Sequence, residues 1–225
     1  MNGVSRRGFL VGTGALAAAT TASRGGAAEA GSASARDPFL GTQGAPLAVG
    51  CPNLQAPGET TMGVTWRVSG LAKGVVEYAD NPAFANARIA RPGGYGLVPI
   101  DVAALAVRLE GLRPATRYYY RTVTTPFTDY RNIYDAKLGA PIVSKTYSFT
   151  TLGAGAKAHF CMMSDTHGQW KPFEMIAKKV KELSPAALVW NGDATNTTQK
   201  KETAVEIFLD PPVESRDYAT TIPVL

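Results

Sequence analysis

Several kinds of residue that would announce a function are scarce in this chain. It holds only two cysteines and two histidines in 225 residues. Cys51 and Cys161 fall in different predicted domains, and Cys161 lies inside a predicted buried strand. Both are read as free, packed thiols rather than as a disulfide. His159 opens a strand and is read as structural or surface, which leaves His167, and no histidine follows it. No apolar run reaches the roughly 20 residues that a membrane-spanning helix needs. No block of Lys and Arg stands behind the formal charge of +5, so a nucleic-acid partner has no electrostatic support. What remains is ordinary for a globular protein: 45% hydrophobic and 18% charged residues, enough for one large domain or two modest ones.

Residues 1–30 stand apart. Ser5-Arg6-Arg7-Gly8-Phe9-Leu10 is followed by a weakly apolar Gly/Ala stretch and closes on Ala28-Glu29-Ala30, a small-x-small cleavage pattern. Paired arginines before a large apolar pair resemble the bacterial twin-arginine export signal. That resemblance implies passage through the twin-arginine machinery and a periplasmic or secreted mature protein. It also fits a metalloprotein, because such cargo often acquires its metals before crossing. An exposed basic tail is the other reading of this segment. Arg6, Arg7 and Arg24 stand against Glu29 here, so without residues 1–30 the charge falls by two, from +5 to +3. Residues 31–44 are small and polar and read as a linker.

Residues 45–151 read as a run of short strands. Over 60–68, Met62, Val64, Trp66 and Val68 alternate with Gly63, Thr65 and Arg67, the period of a half-buried strand. Further strands are predicted at 74–78, 102–109, 117–123 and 145–151, which suggests an antiparallel sandwich. Leu112-x-Pro114-x-Thr116-x-Tyr118-x-Tyr120 then resembles the fibronectin type III pattern, in which a tyrosine pins a corner by bonding back to the main chain. Trp66 resembles the buried tryptophan of that domain. Residues 125–141 exceed what such a domain requires and read as an inserted loop. Tyr130 and Tyr134 on it are read as covering the loop, with a substrate cleft as the alternative.

A Gly/Ala connector at 152–157 marks the expected domain boundary. Residues 158–164 predict a strand covered on both faces. Residues 172–183 predict a helix with Phe173, Ile176, Val180 and Leu183 on one face, ended by Ser184-Pro185. Residues 187–191 predict a second buried strand. Strand, crossover helix and strand make a βαβ unit with parallel strands. Asp165 and His167 then follow the first strand and Asp193 follows the second, 28 positions later, at the ends where open α/β sheets place their ligands. Two carboxylates and an imidazole suit hard or borderline divalent metals. Alternate residues of an extended segment project the same way, so Asp165 and His167 reach one ion. Gly168 is expected to turn the chain behind them, and Gly192 to let Asp193 approach closely.

Asp165-Thr166-His167 and Gly192-Asp193, in these settings, resemble the opening motifs of the calcineurin-like metallophosphoesterases. The resemblance implies hydrolysis of a phosphate-ester substrate by water activated between two divalent or trivalent ions (Fe, Mn or Zn). It implies that Asp165 and His167 bind the first ion and that Asp193 bridges both. A sandwich ahead of such a domain resembles the layout of purple acid phosphatases. His167 stands where that subgroup usually has glycine and Asn196 where it has a metal-binding tyrosine, so a ferric–tyrosinate centre is not expected. Asn191 and Asn196 receive no role.

The expected fold class is therefore an all-β fibronectin III-like sandwich (45–151) followed by the first part of an α/β metallophosphoesterase domain (158–225). A helix is predicted at 197–209, with Ala204, Val205 and Phe208 on one face, and a third buried strand at 220–225. In the family that strand leads to Gly-Asn-His and later histidines. Three ligands do not fill two metal sites, so the sequence reads as the amino-terminal portion of a longer enzyme, itself with little or no turnover. A non-catalytic remnant and a β-sandwich binding or adhesion module are the alternatives. The order of assembly has no visible signal.

Overall fold

In the computed structural model, the structure describes residues 46–91, 97–132, 134–155, 159–197 and 199–225. The expected export signal at 1–30, the linker at 31–44 and the end of the connector at 152–157 lie outside them.

Alternation of apolar and polar residues makes the first half a two-sheet sandwich. Its strands are β1 (Asn53–Gln55), β2 (Met62–Arg67), β3 (Ala72–Ala79), β4 (Arg88–Ala90) and β5 (Ile100–Asp101). They continue with β6 (Ala104–Leu109), β7 (Arg117–Asn132), β8 (Asp135–Leu138), β9 (Ile142–Val143) and β10 (Tyr147–Thr150). One sheet has the order β1-β2-β6; the other runs β10-β7-β3-β4, with β5 on β3 and with β8 and β9 on β7. Met62, Val64 and Trp66 from β2 and Leu105, Val107 and Leu109 from β6 point into the core, facing Val76, Tyr78, Tyr118 and Tyr120 of the second sheet. A fully buried aliphatic or aromatic side chain of this kind contributes about 1.5–3 kcal/mol.

Two details fix how the sheets meet. The Trp66 indole is buried and donates Nε1–H to Thr124 Oγ1 at 2.9 Å, which satisfies its polar atom inside the core. A Cβ on Gly74 would collide with the same indole, so β3 passes over Trp66 only as glycine. At the corner before β7, the Arg113 N–H donates to the Tyr118 hydroxyl at 3.0 Å. This is the tyrosine-to-backbone pin that the Leu112–Tyr120 pattern suggested.

The segment 125–141 is not a loop. β7 continues through it to Asn132 and returns as β8, with Phe127 opposite Leu138 and register shifts between Phe127 and Asp129 and between Tyr130 and Asn132. Asn132 Oδ1 accepts the main-chain N–H groups of Tyr134 and Asp135, a side chain closing the turn. Tyr130 packs edge-on against Phe127, and Tyr134 is 93% exposed near the turn, so Tyr134 covers nothing.

Beyond residue 158 come β11 (Phe160–Met163), α1 (Trp170–Leu183), β12 (Ala187–Trp190) and α2 (Lys201–Leu209), then a 3-10 helix at Glu214–Thr220. β11 and β12 are parallel, with Met163 opposite Trp190. α1 connects them and buries Phe173, Ala177 and Val180 against Met163, Leu188, Tyr218 and Ile222. It ends on Ser184 in the left-handed conformation, whose N–H closes onto the Val180 carbonyl at 2.9 Å. β11 was expected to be covered on both faces, but Phe160 and Met162 are exposed and only Met163 is buried. α2 buries Ile207 and Leu209, with Phe208 45% exposed, so its inward face differs from the expected Ala204, Val205 and Phe208.

The last residues join the halves. Val224 bridges in parallel to Gln55 of β1 and to Leu188 of β12. The flanking hydrogen bonds are Val224 N to Leu54 O (2.9 Å), Leu188 N to Pro223 O (2.8 Å) and Trp190 N to Leu225 O (2.9 Å). The strand expected at 220–225 is thus reduced to residues around Val224, and it runs the β11–β12 pair into the β1-β2-β6 sheet. The described residues, from 46 onward, belong to one compact unit. Buried polar bonds reinforce the seam, with Asn53 Nδ2 donating to the Leu209 carbonyl at 2.9 Å. The Arg67–Asp210 (3.0 Å) and Arg216–Asp210 (3.1 Å) ion pairs bracket the same turn.

Candidate metal centre

The carboxyl ends of β11 and β12 carry the predicted ligands, and the two loops that follow are zipped together by main-chain bonds. Asp165 N reaches Gly192 O at 3.4 Å, His167 N reaches Asp193 O at 3.0 Å, and Gly168 N reaches Ala194 O at 2.9 Å. Thr166, which the sequence left without a role, turns inward and directs its buried hydroxyl to the same Ala194 carbonyl at 3.3 Å. Parallel pairing sets this register: Asn191 N still bonds Met163 O at 2.8 Å, and the ladder then passes directly into the loops.

Within this frame Asp165, His167 and Asp193 come together, each offering a ligand atom within 4.8 Å of the others. All three have positive φ, at 57°, 45° and 47° respectively. That is the left-handed region, which β-carbon crowding disfavours for residues other than glycine. Backbone strain of this sort collects at functional sites, where surrounding bonds over-determine it. Gly168 and Gly192 continue it with φ of 67° and 82°. Open space surrounds the position of a Cβ on Gly192, so the glycine serves its dihedral angle and not the close approach expected of it.

The chemistry of the three groups fits a cation. His167 Nε2 stands 3.9 Å from Asp165 Oδ1, beyond hydrogen-bond range, and Nδ1 is buried with no partner. Neither ring nitrogen is engaged within the described residues, so one is free to serve as a ligand. No Lys or Arg pairs with Asp165 or Asp193 among the described residues. Two carboxylates at this spacing repel by about 1 kcal/mol in bulk water and by about 3–4 kcal/mol at an effective dielectric of 20. Both are exposed, so the lower figure governs, and a bound cation would reverse its sign. Asp, His and Asp together make a hard-to-borderline donor set.

Asn191 contributes its main chain to the ladder, and Asn196 is exposed beside the site. His159 lies at the opposite end of β11. Cys51 and Cys161 are free thiols, both half-buried. No helix among the described residues is long and apolar enough to cross a membrane.

No protein-family model matches the chain, and no curated protein matches it. Similar folds are found among solved structures. The purple acid phosphatase PPD1 from yellow lupin (Lupinus luteus) seeds superposes with a TM-score of 0.53 at 15% identity, over 79% of this chain and 34% of that one. The structure of PhoD matches with a TM-score of 0.48 at 14% identity, over 78% of this chain and 38% of that one. The fibronectin type III domain derived from the human KIAA0970 protein matches with a TM-score of 0.32 at 17% identity, covering 48% of this chain and 76% of that domain. The chain spans about a third of the length of the two longer structures. The likeness to the lupin phosphatase shows a shared fold, and at this identity it shows the fold alone.

Proposed function

We propose that this chain belongs to an exported, metal-dependent phosphoesterase. The observation that carries the reading is the convergence of Asp165, His167 and Asp193 to within 4.8 Å at the carboxyl ends of two parallel strands. The fold shared with a phosphatase and the motif resemblance support it. Asp165, His167 and Asp193 would hold the metal. Two ions of the Fe, Mn or Zn type supply a water of lowered pKa and neutralise charge on the phosphate oxygens. The residues of the chain itself orient these groups: the zipped loops hold the ligands in a fixed geometry, and Thr166 ties its own loop to Ala194. The resemblance of Ser5-Arg6-Arg7-Gly8-Phe9-Leu10 to a twin-arginine signal supports export to the periplasm or outside the cell.

Calorimetric titration of the purified 225-residue chain with Mn²⁺, beside an Asp193→Ala variant, tests the reading. The expected result is saturable binding that weakens at least tenfold in the variant. Hydrolysis of p-nitrophenyl phosphate by this chain alone should be slight, because three ligands do not complete two sites. Mn²⁺ binding that Asp193→Ala leaves unchanged would overturn the assignment and leave the β-sandwich as a binding module.

A further inference from the structure

At the other end of β11 from the metal centre, the sandwich and the second half enclose a crevice of about 390 Å³. His159 opens β11 there and Asp165 follows it six residues later. β11 itself separates the two sites, and at about 3.3 Å per residue the six steps from His159 to Asp165 span at most roughly 20 Å. The sandwich wall presents Arg117, Ser148 and Thr150, and the opposite wall presents His159, Ser184 and Thr221. Pro185, Ile222 and Pro223 make the floor apolar. Cavities of about 300–1,000 Å³ with an apolar lining and a few convergent polar groups are what small-molecule ligands occupy.

The charge of this crevice is one-sided. Among the described residues, none that lines it carries a carboxylate. Arg117 makes no ion pair among the described residues; its Nη2 reaches Ser148 Oγ at 3.4 Å and its guanidinium lies 5.9 Å from the Tyr119 ring. The His159 ring has no hydrogen-bond partner there either, although its carbonyl accepts Ala186 N–H at 2.8 Å. We infer that this crevice is a second binding site, separate from the metal centre, for a small organic ester of phosphate or sulfate. The guanidinium fork matches a tetrahedral oxyanion, and the surrounding hydroxyls complete its donors. α1 ends at Ser184, and a helix carboxyl end favours cations. The anionic group therefore lies against Arg117 on the sandwich wall, with the neutral body of the ligand over Pro185, Ile222 and Pro223.

Calorimetric titration of the full chain, freed of metal by dialysis against a chelator, tests the site with glucose 6-phosphate, inorganic sulfate and glucose. Glucose 6-phosphate should bind saturably at one site, sulfate more weakly, and glucose not at all. Arg117→Gln should weaken binding at least tenfold and His159→Gln severalfold, with far-UV circular dichroism unchanged because both side chains are exposed. Asp193→Ala should leave it unaltered, which separates this site from the proposed metal centre whether or not that centre binds Mn²⁺. Absence of saturable binding, equal binding of glucose, or an Arg117→Gln variant that binds as the parent does would each overturn the inference.

Discussion

The hydroxyl of Tyr120 donates a 2.8 Å hydrogen bond to the main-chain carbonyl of Thr220, 100 positions later, and both residues are buried. Tyr120 belongs to the sandwich core and Thr220 to the 3-10 helix under α1. One phenol thus ties the two hydrophobic clusters together. Burial first, then the nearby Tyr147 and Cys51, hold its ionisation well above the usual tyrosine range.

Replacing Tyr120 with Phe removes that donor and leaves the Thr220 carbonyl buried without a partner. The expected cost is about 1–3 kcal/mol, the desolvation penalty of an unsatisfied acceptor. Urea denaturation measures it. The midpoint should fall with an unchanged slope, and a parent-like midpoint would show that water reaches the carbonyl.

Tyr147 should make stability fall in alkali. Its phenol is pushed up to about 12, first by burial and then by the Cys51 thiol beside it. In the unfolded chain a tyrosine loses its proton near 10. Between about pH 10 and 12 the folded state therefore binds more protons, and stability contributed in full below pH 10 is lost as pH rises. The gap in urea midpoint between the parent and Tyr147→Phe should narrow across that window. Parallel declines would refute this.

Gly74→Ala should destabilise the sandwich by about 1–3 kcal/mol through overpacking, because the new methyl meets the buried Trp66 indole. Pairing it with Trp66→Phe makes room for the methyl. In a double-mutant cycle on thermal midpoints the two changes should compensate, and strict additivity would place the strain elsewhere.

Asp193→Gly should raise the stability of the metal-free chain while weakening Mn²⁺ binding at least tenfold. Asp193 sits at a φ of 47°, where glycine carries no side-chain penalty. Relief of left-handed strain, about 1–2 kcal/mol, exceeds the added chain entropy of glycine, about 0.5–1 kcal/mol. Thermal melts in a chelator and in excess Mn²⁺ should rank the two proteins in opposite orders. Mn²⁺ at 100 times the parent's Kd adds about 2.7 kcal/mol to the parent and at most about 1.4 kcal/mol to a variant that binds it tenfold more weakly. The same ranking in both conditions would break the link between strain and ligation.

The local patterns were legible wherever one element faces one core. Met62, Val64 and Trp66 alternate inward as their spacing predicts, and Phe173 and Val180 lie on the buried side of α1, whereas Leu183, expected on that face, is 45% exposed. The 125–141 segment misled because its polar composition resembles a loop. Its strand pairing comes from main-chain bonds to β8, which side-chain polarity does not report. Phe160 and Met162 misled in the other direction: an apolar run says that burial is favourable, not that a partner is present to provide it. For α2, apolar residues crowd five of nine positions (Ala204, Val205, Ile207, Phe208 and Leu209), so their spacing marks no single face.

The sequence by itself determined the parts that depend on near neighbours. These are the period-two strands, the helix between two strands, the tyrosine corner, and the placing of Asp165, His167 and Asp193 just past strand ends. Only the tertiary structure decided what depends on distant pairing. It brought the three ligand atoms within 4.8 Å, threaded Val224 between Gln55 and Leu188, and set His159 opposite Arg117 across a crevice. The physical reason is that side-chain periodicity records which face of an element is buried. The partner that covers that face is chosen by main-chain hydrogen bonds between segments far apart in the chain, which carry no local signature.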